Sequence, residues 1–93
     1  DVFEINEDKK KRQCLICSYD ILNENSSHVI IAPIALNKAI VYCFEYVIKD
    51  YGKVMCDQIH TINKLKLGQK LFTLTLEDMK QIDIILKRIL GVV

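Results

Sequence analysis

Through most of the chain, apolar residues come in short runs or alternate with polar ones, as in strands; only near the C-terminus do they change to a spacing of three and four. Val2 to Ile5 reads as a short strand, and Asn6 to Lys11 as a charged connection. From Arg12 the run RQCLICSY has the continuous apolar character of a buried strand. Asp20 to Ser27, rich in Asn, Ser and acids, reads as an exposed loop with a helical turn through Ile21 and Leu22. His28 to Ile34 is β-branched and uncharged at its centre, so it belongs in the core, with Pro33 near its end because proline cannot donate to a ladder. After a connection at Asn37 to Ile40, the pattern predicts strands at Val41 to Lys49 and Lys53 to Ile59, joined by a turn at Asp50, Tyr51 and Gly52. Leu65 and Leu67 beside Gly68 suggest a short helical turn, and Gln69 to Thr73 a last strand.

The final element has start, stop and period together. Thr75 is an N-cap with Asp78 three residues on, and Gly91 closes the helix. Leu76, Met79, Ile82, Leu86, Ile89 and Leu90 share one face. The spacing therefore predicts a helix over Leu76 to Leu90, with Ile84 exposed on the charged side. No repeat, low-complexity tract or linker divides the chain, so residues 1–93 form one mainly β domain.

Composition narrows the picture. At 51% hydrophobic and 27% charged residues the chain has the balance of a folded globule, and no uninterrupted apolar run approaches the ~18 residues of a membrane span. Asp1 to Ile5 is not a basic region leading into an apolar core, so no secretory signal is expected, and a cytoplasmic site is. A net charge of +1 argues against bulk adhesion to nucleic acid but leaves room for a locally basic face. Lys9, Lys10, Lys11 and Arg12 form one such run, and Lys64, Lys66 and Lys70 another. Cys14 and Cys17 would face opposite sides of a sheet, which disfavours a shared metal or disulfide; all four cysteines, Cys43 and Cys56 included, read as small buried hydrophobes, and no metal or cofactor is expected.

The informative stretch is Lys53 to Thr73, where Asp57, Gln58, His60, Thr61 and Asn63 crowd the end of a strand. Asp57, Gln58 and Thr61 either tie down a turn through side-chain to backbone hydrogen bonds or line a site. The run Asp57-Gln58-Ile59-His60-Thr61-Ile62-Asn63, followed by a basic Gly-containing segment, a strand and an amphipathic helix, resembles the C-terminal half of the MazF/PemK growth-inhibitor family, whose run is approximately D-Q-x-R-T-I-D. His60 stands where that family usually has Arg. Arg12 to Ser18 is similar to the family's R-P-V-L-V-L-S strand, with Gln13 in place of Pro. Ala35 occupies the position of a family Thr, so no hydroxyl is available there. The likeness covers nearly the whole chain and is strongest from Val54 to Gly91.

That resemblance implies a small SH3-like β-barrel with a C-terminal α-helix, and the toxin of a toxin–antitoxin pair that dimerises and cuts single-stranded RNA without metal. Such cleavage needs a base for the 2′-OH, an acid for the leaving 5′ oxygen and donors for the charge on phosphorus. Arg12, by resemblance the family's central arginine, suits bidentate phosphate binding. Asp57 is a base, an orienting group or a turn cap, and His60 has an imidazole suited to proton transfer in both directions near neutral pH. Lys10, Lys11, Ser18, Gln58, Thr61 and Lys64 complete the expected RNA contacts. The expected partners are single-stranded RNA, an acidic, largely disordered antitoxin peptide, and a second copy of the chain. The short Asn6 to Lys11 connection and Ala35 depart from the family pattern and keep open an alternative, a relative with little or no catalysis that binds RNA or protein as a dimer.

Overall fold

The computed structural model describes residues 1–7, 10–18, 24–36 and 40–91, with backbone only at Glu7, Lys10 and Lys11. Among the described residues, seven strands form one antiparallel sheet: β1 Val2–Glu7, β2 Lys10–Ile16, β3 His28–Ala35, β4 Glu45–Ile48, β5 Gly52–Met55, β6 His60–Asn63 and β7 Leu67–Phe72. Their order is β4-β5-β3-β2-β1-β7, with β6 also pairing β3, and a helix, α1 Leu76–Leu90, follows. This is the expected mainly β, barrel-like architecture with a C-terminal helix, although the ladder does not close on itself among the described residues. The helical turn expected at Ile21 and Leu22 lies outside the described residues.

β3 holds the sheet together. On one side it pairs β2; on the other, His28 to Ile31 pair β6 while Ile34 and Ala35 pair β5. Pro33 sits at the changeover, where neither β5 nor β6 is opposite it, so its missing N–H breaks no ladder. The same changeover explains why the strand expected over Lys53 to Ile59 is divided. After Met55 the chain makes a 3₁₀ turn, Cys56–Gln58, anchored by the fully buried Cys56, and resumes as β6 against the other half of β3.

The strand expected from Val41 starts only at Glu45. Glu45 N–H donates to the Tyr42 carbonyl and the Tyr42 N–H donates to the Glu45 carboxylate, each at 3.0 Å, closing a turn before the strand can begin. The hairpin at Asp50 to Gly52 forms as expected. Asp50 takes the left-handed conformation at φ 59°, and Gly52 lets β5 start hard against β3, since a Cβ there would meet the Ala35 carbonyl oxygen at 2.6 Å. The turn expected near Leu65 is the 3₁₀ turn Lys64–Lys66, where Asn63 Oδ1 accepts the Leu65 N–H.

Alternation gives the sheet two apolar faces. Leu15, Ala32, Ile34, Val54 and Cys56 join Leu74 and Ile82 under the helix, and Ile5, Cys14, Val29, Ile31 and Ile62 form a second cluster. Cys14 belongs to the second and Cys17 packs on the first, on opposite sides as expected. All four cysteines are free thiols, but Cys43 is exposed rather than buried, because the Tyr42–Glu45 turn takes it out of a strand. Burial, before the neighbouring thiols, pushes Cys17 up to about 12, so it stays protonated and unreactive.

α1 has the expected bounds and caps. Thr75 Oγ1 accepts the Asp78 N–H at 3.1 Å, and Gly91 is left-handed at φ 73°. Its apolar face is covered only in part. Ile82 is fully buried, and Met79, Ile85 and Leu86 pack on the main cluster, whereas Leu76 is 83% and Leu90 61% exposed. The helix rests on β4 and the Cys56–Gln58 turn, so its ends overhang the sheet and their side chains meet solvent; Ile84 is exposed as expected.

The Tyr46 hydroxyl donates to Asp78 Oδ1 at 2.5 Å, tying β4 to the first turn of α1. This bond, before burial and the acidic charges of Asp78 and Glu77, pushes the Tyr46 phenol up to about 12, and with the Thr75 hydroxyl it holds the Asp78 carboxyl below its usual range. The phenol's contribution to stability is whole below its unfolded value of about 10 and lost as pH rises through about 12. The carboxylate's contribution is whole above about 3.9 and lost as pH falls through its lowered folded value. Tyr46→Phe should therefore lower unfolding free energy by about 1 kcal/mol near neutral pH, solvent screening at this half-exposed pair reducing the value of a charge-assisted bond, with the difference from wild type shrinking toward both extremes in denaturant titrations. A constant difference across pH would show that the bond contributes nothing beyond packing.

Candidate active site

On β2, side chains alternate so that Arg12 faces the same way as Cys14, and Arg12 lies directly across from Ile5 on β1. On β6, His60 is opposite Ile31 of β3. These positions converge. Arg12, His60 and Gln58 line one cleft of about 550 Å³, with Ile5, Pro33, Met55 and Leu36 as apolar walls and Ala35 in its lining. A guanidinium, an imidazole and an amide among apolar side chains suit a ligand with both phosphate and flat apolar parts.

The geometry at His60 fixes its chemistry. Its Nδ1 lies 3.0 Å from the Gln58 carbonyl oxygen, which can only accept, so Nδ1 carries the proton. In the neutral ring that leaves the Nε2 lone pair available as a base. The Gln58 side-chain amide donates weakly to the Met55 thioether at 3.7 Å, which orients a second polar group on the cleft wall.

Other residues singled out in the sequence fall elsewhere. Asp57 is exposed on the 3₁₀ turn outside the lining of this cleft, and no side chain caps that turn, so neither the base role nor the capping role is visible for it. Thr61, exposed on β6 opposite Ile30, points to the other side from His60. Ser18 and Lys64 line a second cavity of about 670 Å³; Ser18 lies six residues beyond Arg12, roughly 20 Å along an extended chain. Ser18 Oγ accepts the Ile30 N–H at 3.2 Å and so pins the end of the β2–β3 ladder. The side chains of Lys10 and Lys11, and Lys9 altogether, lie outside the described residues. No group of three His, Cys, Asp or Glu side chains among the described residues has the arrangement to hold a metal ion.

Residues the sequence pattern did not single out also shape the site. Met55 and Pro33 read as ordinary strand positions, Leu36 carries no signal, and the β3 changeover brings them to the cleft. Beyond the cleft, Lys53 and Glu45 form an ion pair at 3.0 Å whose side chains are 12% and 4% exposed. Burial alone would push the Glu45 carboxyl up, but the Tyr42 N–H and the Lys53 ammonium outweigh it and hold it below its usual range.

The family model for PemK-like, MazF-like toxins of type II toxin–antitoxin systems matches residues 3–90. No curated protein matches the sequence. Among solved structures, an endoribonuclease in complex with its cognate antitoxin from a mycobacterial species superposes with a TM-score of 0.87 at 23% identity, covering 99% of this chain and 92% of that one. The Mycobacterium tuberculosis toxin MazF-mt6 gives 0.81 at 18% identity over 98% of this chain and 97% of its own. The MazE–MazF complex of Deinococcus radiodurans gives 0.87 at 18% identity over 99% and 92%. At these identities the structures speak to the fold, which they share with this protein from end to end. The family match, which runs over almost all of the sequence, goes further: the chain belongs to the PemK-like, MazF-like toxins of type II toxin–antitoxin systems.

Proposed function

We propose that this toxin is a metal-independent endoribonuclease that cuts single-stranded RNA in the cleft between β2 and β6, works as a homodimer in the cytoplasm and is held in check by a cognate antitoxin peptide. The observation that carries this reading is the convergence of Arg12 and His60 on one cleft with the His60 Nε2 lone pair free. Arg12 holds the scissile phosphate through its planar fork. His60 Nε2 takes the 2′-OH proton as the 2′ oxygen bonds to phosphorus; the bond from phosphorus to the 5′ oxygen breaks, and the leaving oxygen takes its proton from solvent in the open cleft. The product ends are a 2′,3′-cyclic phosphate and a 5′-hydroxyl. Asp57, outside the cleft, has no step in this scheme.

A binding-only reading draws support from Ala35, which brings no hydroxyl to the cleft floor. One assay separates the two. Wild-type toxin free of antitoxin should cut a varied RNA pool to cyclic-phosphate ends, Arg12→Lys should lose about 100- to 1,000-fold in rate with little change in stability, and His60→Gln should flatten the pH dependence of cleavage. Absence of cleavage by wild type removes the enzyme reading; equal cleavage by Arg12→Lys removes Arg12 from it.

Leu36, Ile40, Val41, Tyr42 and Val47 leave apolar surface exposed, which supports pairing of two copies. Sedimentation at micromolar concentration should show a dimer, and a single monomeric species would refute it. Antitoxin is a partner in two of the similar structures, and the exposed Lys66 and Lys70 offer an acidic peptide complementary charge. Binding of the cognate antitoxin should weaken with added salt and on neutralising Lys64, Lys66 and Lys70; insensitivity to both would show that charge does not guide it.

A further inference from the structure

Strand register places a second cation in line with Arg12. Ala35 is paired with Lys53, and Lys53 with Val47. On the other side of β3, Gln13 lies opposite Ile34, so Arg12, one residue earlier, comes level with Ala35, one residue later. Directly opposed residues point to the same face of a sheet. Ile5, Arg12, Ala35, Lys53 and Val47 therefore form one cross-strand row on the face that carries the cleft. The two cations flank Ala35, their backbones two strand spacings or about 10 Å apart. Within that row, Ala35 is the residue between them.

At rest Lys53 is turned toward β4. Its ammonium donates to the Ile40 carbonyl and to Glu45 Oε1 at 3.0 Å, beside the Tyr42 ring at 5.8 Å. An ammonium has three N–H donors, so one remains beyond these two bonds. Two cations sharing one phosphate through charge-assisted bonds stand roughly 5 to 6 Å apart, a separation that a four-carbon lysine stem and an arginine can reach from opposite sides of one small residue. We propose that Lys53, outside the cleft lining in the free protein, is a second phosphate-binding residue, held on Glu45 at rest and transferred across Ala35 to the RNA backbone on binding. The inference rests on the RNA-cutting reading above. It makes Glu45 a competitor of the substrate for Lys53.

Competition has a sign that a purely structural ion pair lacks. The test is binding of a pool of 2′-O-methylated single-stranded RNA oligonucleotides, which lack the reacting hydroxyl, followed by fluorescence anisotropy at several salt concentrations, with folding of each variant verified by thermal denaturation. Lys53→Met should bind about tenfold more weakly and lower the salt slope by about 0.7, the share of one phosphate contact on a single strand, while Lys53→Arg should keep the contact. Glu45→Gln should bind more tightly than wild type even though it is less stable, because it releases Lys53. If Glu45→Gln instead weakens binding as Lys53→Met does, or if Lys53→Met leaves affinity and slope unchanged, Lys53 only braces the Ile40–Glu45 segment and the proposal falls. Arg12→Gln separates the layers. If it weakens binding while the Lys53 variants do not, only this inference fails; if it too has no effect, the RNA reading of the cleft fails with it.

Discussion

One strand with three partners is the constraint on which the rest of the molecule depends. β3 is long, uncharged and β-branched, and it pairs β2 along one edge while dividing its other edge between β5 and β6. A strand can serve two partners on one edge only if those partners are separate segments and the ladder is interrupted between them. Pro33 supplies the interruption without an orphaned donor, and the 3₁₀ turn at Cys56–Gln58 supplies the separation. The cleft is the direct result. It opens where β5 departs and before β6 arrives, with Arg12 reaching it from β2 and His60 from the first residue of β6.

The two faces of the sheet then take different work. Helix α1 covers the face formed by Leu15, Ile34, Val54 and Cys56 through Ile82, and among the described residues no helix covers the opposite face at the Ala35 level. Arg12 is tolerable there because water reaches it. Glu45 is the exception, a carboxylate 8% exposed near the sheet edge, and it is accommodated because the Tyr42 N–H and the Lys53 ammonium supply the hydrogen bonds that burial removes. The same lysine also donates to the Ile40 carbonyl and so fixes the segment leading into β4.

The sequence revealed most where several local signals coincided. At α1, cap, period and closing glycine agree, and the bounds fall on Leu76 and Leu90 as read; the Asp50–Gly52 hairpin is equally clear because turn chemistry separates two β-branched runs. Periodicity could not show that Leu76 and Leu90 overhang, since that depends on the length of the sheet beneath them. Nor could it show the break after Met55, because buried Val54 and Cys56 keep strand alternation through a turn. Within the polar run, Gln58 and His60 line the cleft and Asp57 and Thr61 do not, a division the pattern could not show. His60 and Thr61 are neighbours in sequence, and the pleat sends them to opposite sides.

The cleft therefore depends more on register than on residue type. A cluster of cleft-lining side chains spread over β2, the Cys56–Gln58 turn and β6 has no signature in spacing, and its members become neighbours only because Ile31 faces His60 while Cys14 faces Pro33. A one-residue slip of β6 on β3 would turn His60 to the opposite side and bring Thr61 into the cleft, exchanging an imidazole for a hydroxyl. What prevents the slip is apolar: Ile62 is buried with Ile5, Cys14, Val29 and Ile31, and a slip would expose it. The second core cluster thus holds the imaging of polar groups onto the cleft, and the physical reason His60 faces the cleft is the burial of an isoleucine two residues away.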